Sequence, residues 1–290
     1  MSLVTDSDSI PMAQVKLVVS AAGRGDEYLC LPTSGLMDGL PSNYIFRTFT
    51  RLKHVENDVQ NILRLLNDGG TNQFLILFGL SPTIMEKLAT REAKLGVNYR
   101  IQFDGSSALV KVVPSSGHEL ATDMVREIVG EQLSGMGIGR TERAWGTTTL
   151  YKPAQLTAGK EGDQIFLPPA RLNAPRTPPN WPTFVVETGL SQGIGKLRSA
   201  AAWWLNQSEG WVRMVMVISI NTTVVDFELW QLAPPNAPHP LTRRYIETLR
   251  NKPATLPATL PATLPSIQAA GWQGRPRHPT TRRTFRLIGQ

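Results

Sequence analysis

The chain contains very little cysteine: Cys30 is the only one among 290 residues. An intrachain disulfide is therefore impossible, and a zinc site that needs several cysteines cannot form within one copy. Histidine is also scarce, and the four histidines have neither a His-x-x-x-His spacing nor a cysteine partner, which argues against zinc. Scarcity of cysteine is typical of a reducing compartment, so we expect an intracellular protein, cytoplasmic or nuclear.

Long apolar runs are missing as well. The run FLILFGL from Phe74, one of the longest, is far shorter than the roughly 20 residues that span a bilayer. The N-terminal stretch MSLVTDSDSIPM has neither the basic region nor the apolar segment of a secretion signal. We therefore expect no membrane association. The hydrophobic content of 41% is nevertheless sufficient for a folded core.

Acidic residues are too few to balance the basic ones, and the net charge is +7. Such an excess favours an anionic partner such as nucleic acid, because basic side chains neutralise phosphates and release counterions. Much of the excess lies in the final stretch, GRPRHPTTRRTFRLIGQ, which holds several arginines and no acid. A basic tail of this kind either binds nucleic acid or forms a solvated, disordered end, and the sequence leaves both interpretations open.

The first part of the chain, residues 1–105, has the pattern of an accessory αβ region. It contains apolar residues at helical spacing, a Ser-Pro pair typical of a helix start, and Asp104-Gly105, which resembles a hairpin turn. The expected elements are a helix over about 52–66, a strand over 74–80, a helix over 82–96, and strands over 99–103 and 108–113 on either side of the turn.

Residues 106–233 are predicted to form an α/β core with the element order α-β-β-β-α-β and one further strand. The expected elements are a helix over 118–133, strands near 145–151, 164–167 and 183–187, a helix over 195–206, and strands over 212–220 and 224–232. Residues 234–290 include PATLPATLPATLP, where a proline at every fourth position excludes helix and sheet. We expect this last part to be a Pro-rich spacer followed by a basic tail, both disordered.

The most informative stretch is WPTFVVETGLSQGIGKLRSAAAWWLN from Trp181, in which an apolar strand ends on Glu187. A carboxylate at the edge of an apolar core is costly unless it is paired or binds a metal. Asp163 stands at the start of the preceding strand, so both acids are expected at one edge of a sheet. Carboxylates, a backbone carbonyl and water form the oxygen-only site that Mg²⁺ prefers. Glu119, in the first turn of the preceding helix, is a third candidate, although helix N-termini favour acids through the helix dipole alone.

Two other motifs occur in the same stretch. GLSQGIGKL from Gly189 has five residues where a phosphate-binding P-loop has four, and Leu197 stands where that loop needs a hydroxyl. GLSQG also matches the Gly-x-Ser-x-Gly elbow of a serine hydrolase around Ser191, but the only downstream histidine before the proline spacer is His239. The P-loop is therefore rejected, and an esterase-like serine hydrolase is kept as an alternative.

The element order, with an aspartate on the second core strand and a glutamate on the third, resembles the PD-(D/E)xK nuclease-like superfamily, which has a restriction-endonuclease-like fold. The phrases VKVVPSSGHELA, KEGDQIFLPP, WPTFVVETGLSQ, KLRSAAAWWLNQSEG and VRMVMVISI, in this order, are also similar to a group of uncharacterised fungal proteins that carry this domain. The resemblance covers roughly residues 108–232. It implies that Asp163 and Glu187 hold Mg²⁺, and that Glu119 is an extra ligand or orients the attacking water.

The resemblance also implies a catalytic lysine two residues after the glutamate, but Gly189 occupies that position. Members of the superfamily move this lysine to the following helix, where Lys196 stands near the start. Gln192 is a weaker polar substitute. Lys160, expected on the strand of Asp163, is a third candidate.

Two functional hypotheses follow. The first is a magnesium-dependent phosphodiesterase that acts on DNA or RNA, and the second is a catalytically inactive module that binds nucleic acid or protein. Hydrolysis of a phosphodiester needs both charge stabilisation by a metal and a means of making hydroxide, so the replaced lysine is what separates the two hypotheses. Trp203 and Trp204 could stack on bases, but adjacent tryptophans more often belong to a core, which is the interpretation we favour.

Overall fold

The computed structural model describes residues 35–114, 117–147, 149–153, 157–168, 171, 181–190, 193–221, 224–232 and 280–288. It contains two mixed β-sheets and four α-helices within these ranges. None of the helices described is long and apolar enough to cross a lipid bilayer. The chain is therefore a mixed α/β protein, as the sequence predicts.

The first sheet has five strands and two helices on one face. The strands in sheet order are β1 (Ile45–Thr48), β2 (Phe74–Phe78), β4 (Ser107–Val112), β3 (Tyr99–Asp104) and β6 (Gly159–Lys160), and the helices are α1 (Leu52–Asn67) and α2 (Pro82–Ala89). Alternate strand residues such as Leu75, Leu77 and Val110 pack under the helices and form a buried apolar core. The residues between them face the opposite side of the sheet, because side chains alternate along a strand.

The second sheet has six strands and one helix on each face. The strands in sheet order are β11 (Thr280–Ile288), β10 (Val224–Leu232), β9 (Met214–Ile220), β8 (Phe184–Leu190), β7 (Gln164–Leu167) and β5 (Ala144–Gly146). Helix α3 (Gly117–Gly135) packs on one face and α4 (Ile194–Gln207) on the other, and a short 3₁₀ helix, Arg140–Glu142, precedes β5. Strands β5, β7 and β8 pair in antiparallel fashion, and β9 is parallel to β8.

The hairpin predicted around Asp104-Gly105 is confirmed, since Asp104 pairs with Ser107 and Gly105 has a φ of +57°. Strand β4 pairs on its other edge with β2, so it belongs to the first sheet. The expected domain boundary between residues 105 and 106 therefore falls inside a hairpin. The first sheet also includes β6, which lies far along the chain between β5 and β7.

The C-terminal tail differs in part from its expected disorder. Residues 280–288 form β11, which pairs in parallel with β10 along its whole length. The segment TTRRTFRLI contains three threonines, a phenylalanine and an isoleucine, which are residue types enriched in strands. The Pro-rich spacer lies outside the described residues.

Helix α4 is buried on nearly all sides. Trp203 and Trp204 are 3% and 0% exposed and pack at right angles, with ring centroids 5.2 Å apart. They belong to the core between α4 and the second sheet, together with Val185 and Val215. The prediction that these tryptophans are core residues is confirmed, and they offer no stacking surface to nucleic-acid bases.

Candidate functional site

Charged side chains of the two sheets meet in the space between them. Glu187, 2% exposed, lies on the face of β8 that carries α4, and Asp163, 1% exposed, directly precedes the neighbouring strand β7. Glu187 was expected at the end of its strand, but it lies inside β8 because residues 188–190 continue to pair with β9. The two acids are close in space, as the sequence predicts, and the first sheet supplies the cations that face them.

Asp163 is held by several donors. Its Oδ2 accepts hydrogen bonds from Lys111 Nζ at 2.5 Å and from the backbone N of Thr188 at 2.7 Å. Its Oδ1 lies 3.5 Å from Arg100 Nε and 3.5 Å from His118 Nε2, and it has no hydrogen-bond partner among the described residues. Burial by itself raises the pKa of Asp163, but Lys111, followed by His118 and Arg100, lowers this pKa well below its ordinary value. Asp163 is therefore ionised at neutral pH.

Glu187 shares a cation with Asp163. Its Oε1 accepts a hydrogen bond from Trp204 Nε1 at 2.6 Å and lies 3.3 Å from Lys160 Nζ. Its Oε2 lies 3.7 Å from Lys111 Nζ, which is beyond hydrogen-bonding distance. The Lys111 ammonium thus lies between the two carboxylates.

Lys111 is a residue of this site that the sequence reasoning missed. Its side chain is almost fully buried, and it projects from β4 on the face opposite α1 and α2. The signal was present in SALVKVV, where one lysine interrupts an otherwise apolar strand in the same way as Glu187 interrupts FVVETGL. A buried charge in a strand needs a partner of opposite charge. Lys111 is placed close to both Glu187 and Asp163, so it supplies that partner for the two acids.

Lys160 is at the site but on a different strand from the one expected. It belongs to β6, in the first sheet, where it pairs with Gln102 of β3. The chain crosses to the second sheet after this residue, so Asp163 lies on the opposite side of the site. Arg100 and Lys111 are neighbours across the β3–β4 pairing, and the three cations therefore share one face of the first sheet.

Lys196 lies in the first turn of α4, as expected, but its ammonium does not bond to either acid. Its Nζ donates to the backbone carbonyl oxygens of Gly35, at 3.0 Å, and Leu36, at 2.8 Å. Burial, followed by the charge of Lys160, lowers the pKa of Lys196 to about 7, although Asp38 and Glu187 act in the opposite direction.

The remaining predicted residues have separate outcomes. Glu119 lies in the first turn of α3, but it is exposed and its Oε1 accepts a hydrogen bond from Asn98 Nδ2 at 3.1 Å. No group of three or more Asp, Glu, His or Cys side chains suited to a metal occurs within the described ranges. The role of Glu119 as an extra ligand or as the acid that orients the water stays a prediction. Gln192 and the alternative nucleophile Ser191 lie outside the described residues.

Helix α3 contributes His118 to the site instead. The ring Nε2 of His118 lies 2.9 Å from the carbonyl oxygen of Thr188, and Thr122 Oγ1 lies 3.0 Å from Thr188 Oγ1. These contacts attach the start of α3 to β8 next to Glu187. Residues 118 and 119 differ by about 100° around a helix, so only one of them can face the sheet.

A second buried ion pair fixes the segment that carries Lys160 and Asp163. Glu161 Oε2 accepts hydrogen bonds from Arg91 Nη2 at 2.7 Å and from the backbone N of Ile101 at 3.1 Å. The Arg91 guanidinium lies 4.0 Å above the Tyr99 ring centroid, and Arg91 itself has a φ of +66°. Burial raises the pKa of Glu161, and the hydrogen bond and charge of Arg91 oppose this change.

The space between these groups is small and positively charged. A cavity of about 10 Å³ is lined by Glu187 and by basic side chains, and apolar residues such as Phe74 complete it. Such a volume holds roughly one water molecule. The basic side chains at the cavity are Arg100, Lys111, Lys160 and Lys196. They outnumber the two acids, so the side chains around the cavity carry a net positive charge.

The acids have the chemistry of a magnesium site. Asp163 Oδ1 accepts no hydrogen bond from the described residues, and Glu187 Oε2 lies 3.7 Å from Lys111 Nζ, beyond hydrogen-bonding distance. Mg²⁺ in proteins is commonly held by one or two carboxylates, with water and substrate phosphate completing its coordination. The residues therefore fit the ion, provided that the ammonium of Lys111 moves from between the carboxylates.

No protein-family model matches the chain, and no curated protein is similar to it. The geometry of the site is therefore the basis of the functional proposal.

Proposed function

We propose that this protein is a magnesium-dependent phosphodiesterase with a restriction-endonuclease-like core that acts on DNA or RNA. The observation that carries the proposal is the pair of buried carboxylates that share the ammonium of Lys111: Asp163, directly before β7, and Glu187, on the neighbouring strand β8. The succession of α3, the antiparallel strands β5, β7 and β8, α4 and the parallel strand β9 supports the same fold.

Each residue of the cluster has a separate role in this proposal. Asp163 and Glu187 hold the ion, which when bound stabilises charge on the phosphate and lowers the pKa of a water molecule. The backbone N of Thr188 fixes Asp163, and the indole of Trp204 fixes Glu187, so neither carboxylate is free to rotate. Lys160 takes the role of the family lysine, because its Nζ lies 3.3 Å from Glu187 Oε1 and lines the cavity. There it neutralises a phosphate oxygen and orients the water.

A cleavage assay with matched variants tests this proposal. Fluorescent single-stranded and duplex DNA and RNA are incubated with Mg²⁺ and wild type, Glu187→Gln, Asp163→Asn or Lys160→Met. Each variant is expected to lose activity on the order of 100-fold or more, because each removes a group worth several kcal/mol in the transition state. Glu86→Gln, which alters an exposed acid on α2, serves as the control. Equal cleavage by wild type and Glu187→Gln would refute the proposal.

A second candidate function is a binding module that does not cleave. The specific observation in its favour is the position of the Lys111 ammonium, which lies between the carboxylates and pairs with Asp163 at 2.5 Å. An anion then binds to the surplus cations without a metal. This candidate predicts oligonucleotide binding in EDTA that weakens with salt and with Lys160→Met, together with no cleavage under any metal condition.

A further inference from the structure

A short segment before the first sheet contacts residues that line the cavity of the site. Residues 35–40, which we call the strap, form turns stabilised by their own hydrogen bonds, including Asp38 N to Gly35 O at 3.2 Å. Leu36 is 6% exposed and packs against Phe74 and Leu109. Because Phe74 and Leu109 also line the cavity, the strap lies directly beside it.

The strap accepts hydrogen bonds from the side chain of Lys196. Its carbonyl oxygens at Gly35 and Leu36 accept both of the hydrogen bonds that this ammonium makes to the backbone. Lys196 lines the same cavity as Glu187 and Lys160. A cation that would face an anionic ligand is thus bound to neutral carbonyl groups. Burial of this ammonium, followed by the charge of Lys160, lowers its pKa.

Two glycines allow the strap to come this close. Gly39 has a φ of +71°, and a Cβ at this position would overlap the backbone carbonyl of Gly195 and lie 2.7 Å from Lys196 N. A Cβ at Gly195 would lie 2.9 Å from the carbonyl oxygen of Gly39. The strap therefore contacts the start of α4 backbone to backbone, which any other residue at these positions prevents.

We infer that the strap is an autoinhibitory cover that closes the site to phosphate esters until Lys196 exchanges the strap carbonyls for phosphate oxygens. The inference rests on the proposed function for the identity of the ligand. The size of the cavity supports it, because a volume of about 10 Å³ holds roughly one water molecule and admits no phosphate in this closed arrangement. Opening the strap removes the contacts of Leu36 with Phe74 and Leu109, which line the cavity, and releases Lys196 from the two carbonyls.

The test uses a substitution that the closed strap cannot accommodate. Gly39→Ala introduces a methyl group that overlaps Gly195, whereas Gly69→Ala imposes a similar backbone penalty at a φ of +88° with no atom within 4 Å. Acetylation of full-length protein with a water-soluble ester, followed by mass spectrometry, measures the accessibility of Lys196 relative to exposed Lys94. We expect Lys196 to react at least about tenfold faster in Gly39→Ala than in wild type, and Gly69→Ala to resemble wild type.

Binding provides the second readout. Anisotropy of a fluorescein-labelled single-stranded DNA 12-mer in EDTA is expected to show about tenfold tighter binding to Gly39→Ala than to wild type or Gly69→Ala, since the opening cost is removed. Leu36→Ala gives a second open variant, and Met37→Ala, on the exposed side of the strap, is its control.

Rapid acetylation of Lys196 in wild type, or equal DNA affinity of wild type and both open variants, would overturn the inference. The outcome for the proposed function is separate. Protected Lys196 and tighter binding by the open variants, without cleavage by any protein, would support the strap and refute the phosphodiesterase. Cleavage by wild type, together with no effect of Gly39→Ala on labelling, affinity or rate, would support the phosphodiesterase and overturn the inference about the strap.

Discussion

Lys196 is an ammonium with little contact with water, being 3% exposed. Its pKa is lowered from 10.5 to about 7 in the folded protein, mainly by burial. Between these two pH values the unfolded chain binds more protons than the folded one, so the stability contributed by this residue rises with pH. We therefore expect the free energy of unfolding of wild type to increase relative to Lys196→Met from pH 7 to pH 10. Urea titrations of both proteins across this range measure the difference, and a constant gap would contradict the prediction.

The ion pair between Arg91 and Glu161 is asymmetric in its burial. The side chain of Glu161 is 0% exposed and that of Arg91 29%. Arg91→Met leaves a buried carboxyl without its cation, which is expected to cost about 3 kcal/mol of the free energy of unfolding. Adding Glu161→Gln is expected to recover part of this loss. Arg47→Met, which breaks a pair with Asp58 in which the Arg47 side chain is 55% exposed, is expected to cost less than about 1 kcal/mol. Urea midpoints showing equal costs for Arg91→Met and Arg47→Met would contradict this account.

Among single residues, the acids were easier to predict than the cations. Asp163 and Glu187 stand out because each interrupts or borders an apolar strand, and their proximity follows from the pairing of β7 and β8. Lys111 and Lys160 come from the other sheet, and nothing in local spacing indicates which strands of two separate sheets face each other. For Lys196, the sequence predicts the position at the start of α4 but not the hydrogen-bond partners. These partners are the strap carbonyls, which lie far away in sequence.

The attachment of α4 to β8 includes a polar bond inside an apolar contact. Trp204→Phe removes the Nε1 donor to Glu187, whereas Trp203→Phe removes a similar volume from the same core without affecting that bond. We expect Trp204→Phe to be less stable than Trp203→Phe by about 1–2 kcal/mol, because the bond to a charged acceptor is lost. Thermal or urea unfolding of the two variants measures this difference. Equal stability would show that the indole adds only packing.

Elements with a strong local pattern were predicted well. The hairpin at Asp104-Gly105 and the helices α1 and α4 follow from turn residues and from the spacing of apolar side chains. Short or nonlocal strands were not: β6 has only two residues, and β11 depends on pairing with a strand distant in sequence. Strand pairing across the chain is set by tertiary contacts, which a local window does not contain.

At the scale of the whole molecule, the ionised Asp163 joins the two sheets through Lys111 and Arg100. Its folded pKa lies well below the ordinary 3.8, so its stabilising effect is present above about pH 4 and is lost as the pH falls towards the folded value. Asp163→Asn is expected to be less stable than wild type by about 3–5 kcal/mol at neutral pH, with the gap narrowing in acid. Acid titrations followed by tryptophan fluorescence measure both proteins, and a gap independent of pH would contradict the role of this carboxylate.

The division of charges between the two sheets links the stability of the protein to the rate of its proposed reaction. Asp163 and Glu187 lie with the second sheet, and Arg100, Lys111 and Lys160 lie on the first. In the proposed phosphodiesterase, these ion pairs hold the two sheets together and have to loosen before a phosphate can enter. A change that strengthens these ion pairs, for instance a shorter contact between Lys160 and Glu187, is expected to raise the melting temperature and to lower the rate of the proposed reaction. Directed evolution for thermal stability and directed evolution for a faster proposed reaction should therefore select opposite changes in these ion pairs. In both experiments the substitutions are expected on β4, β6 and β8, and a gain in one property is expected to lower the other.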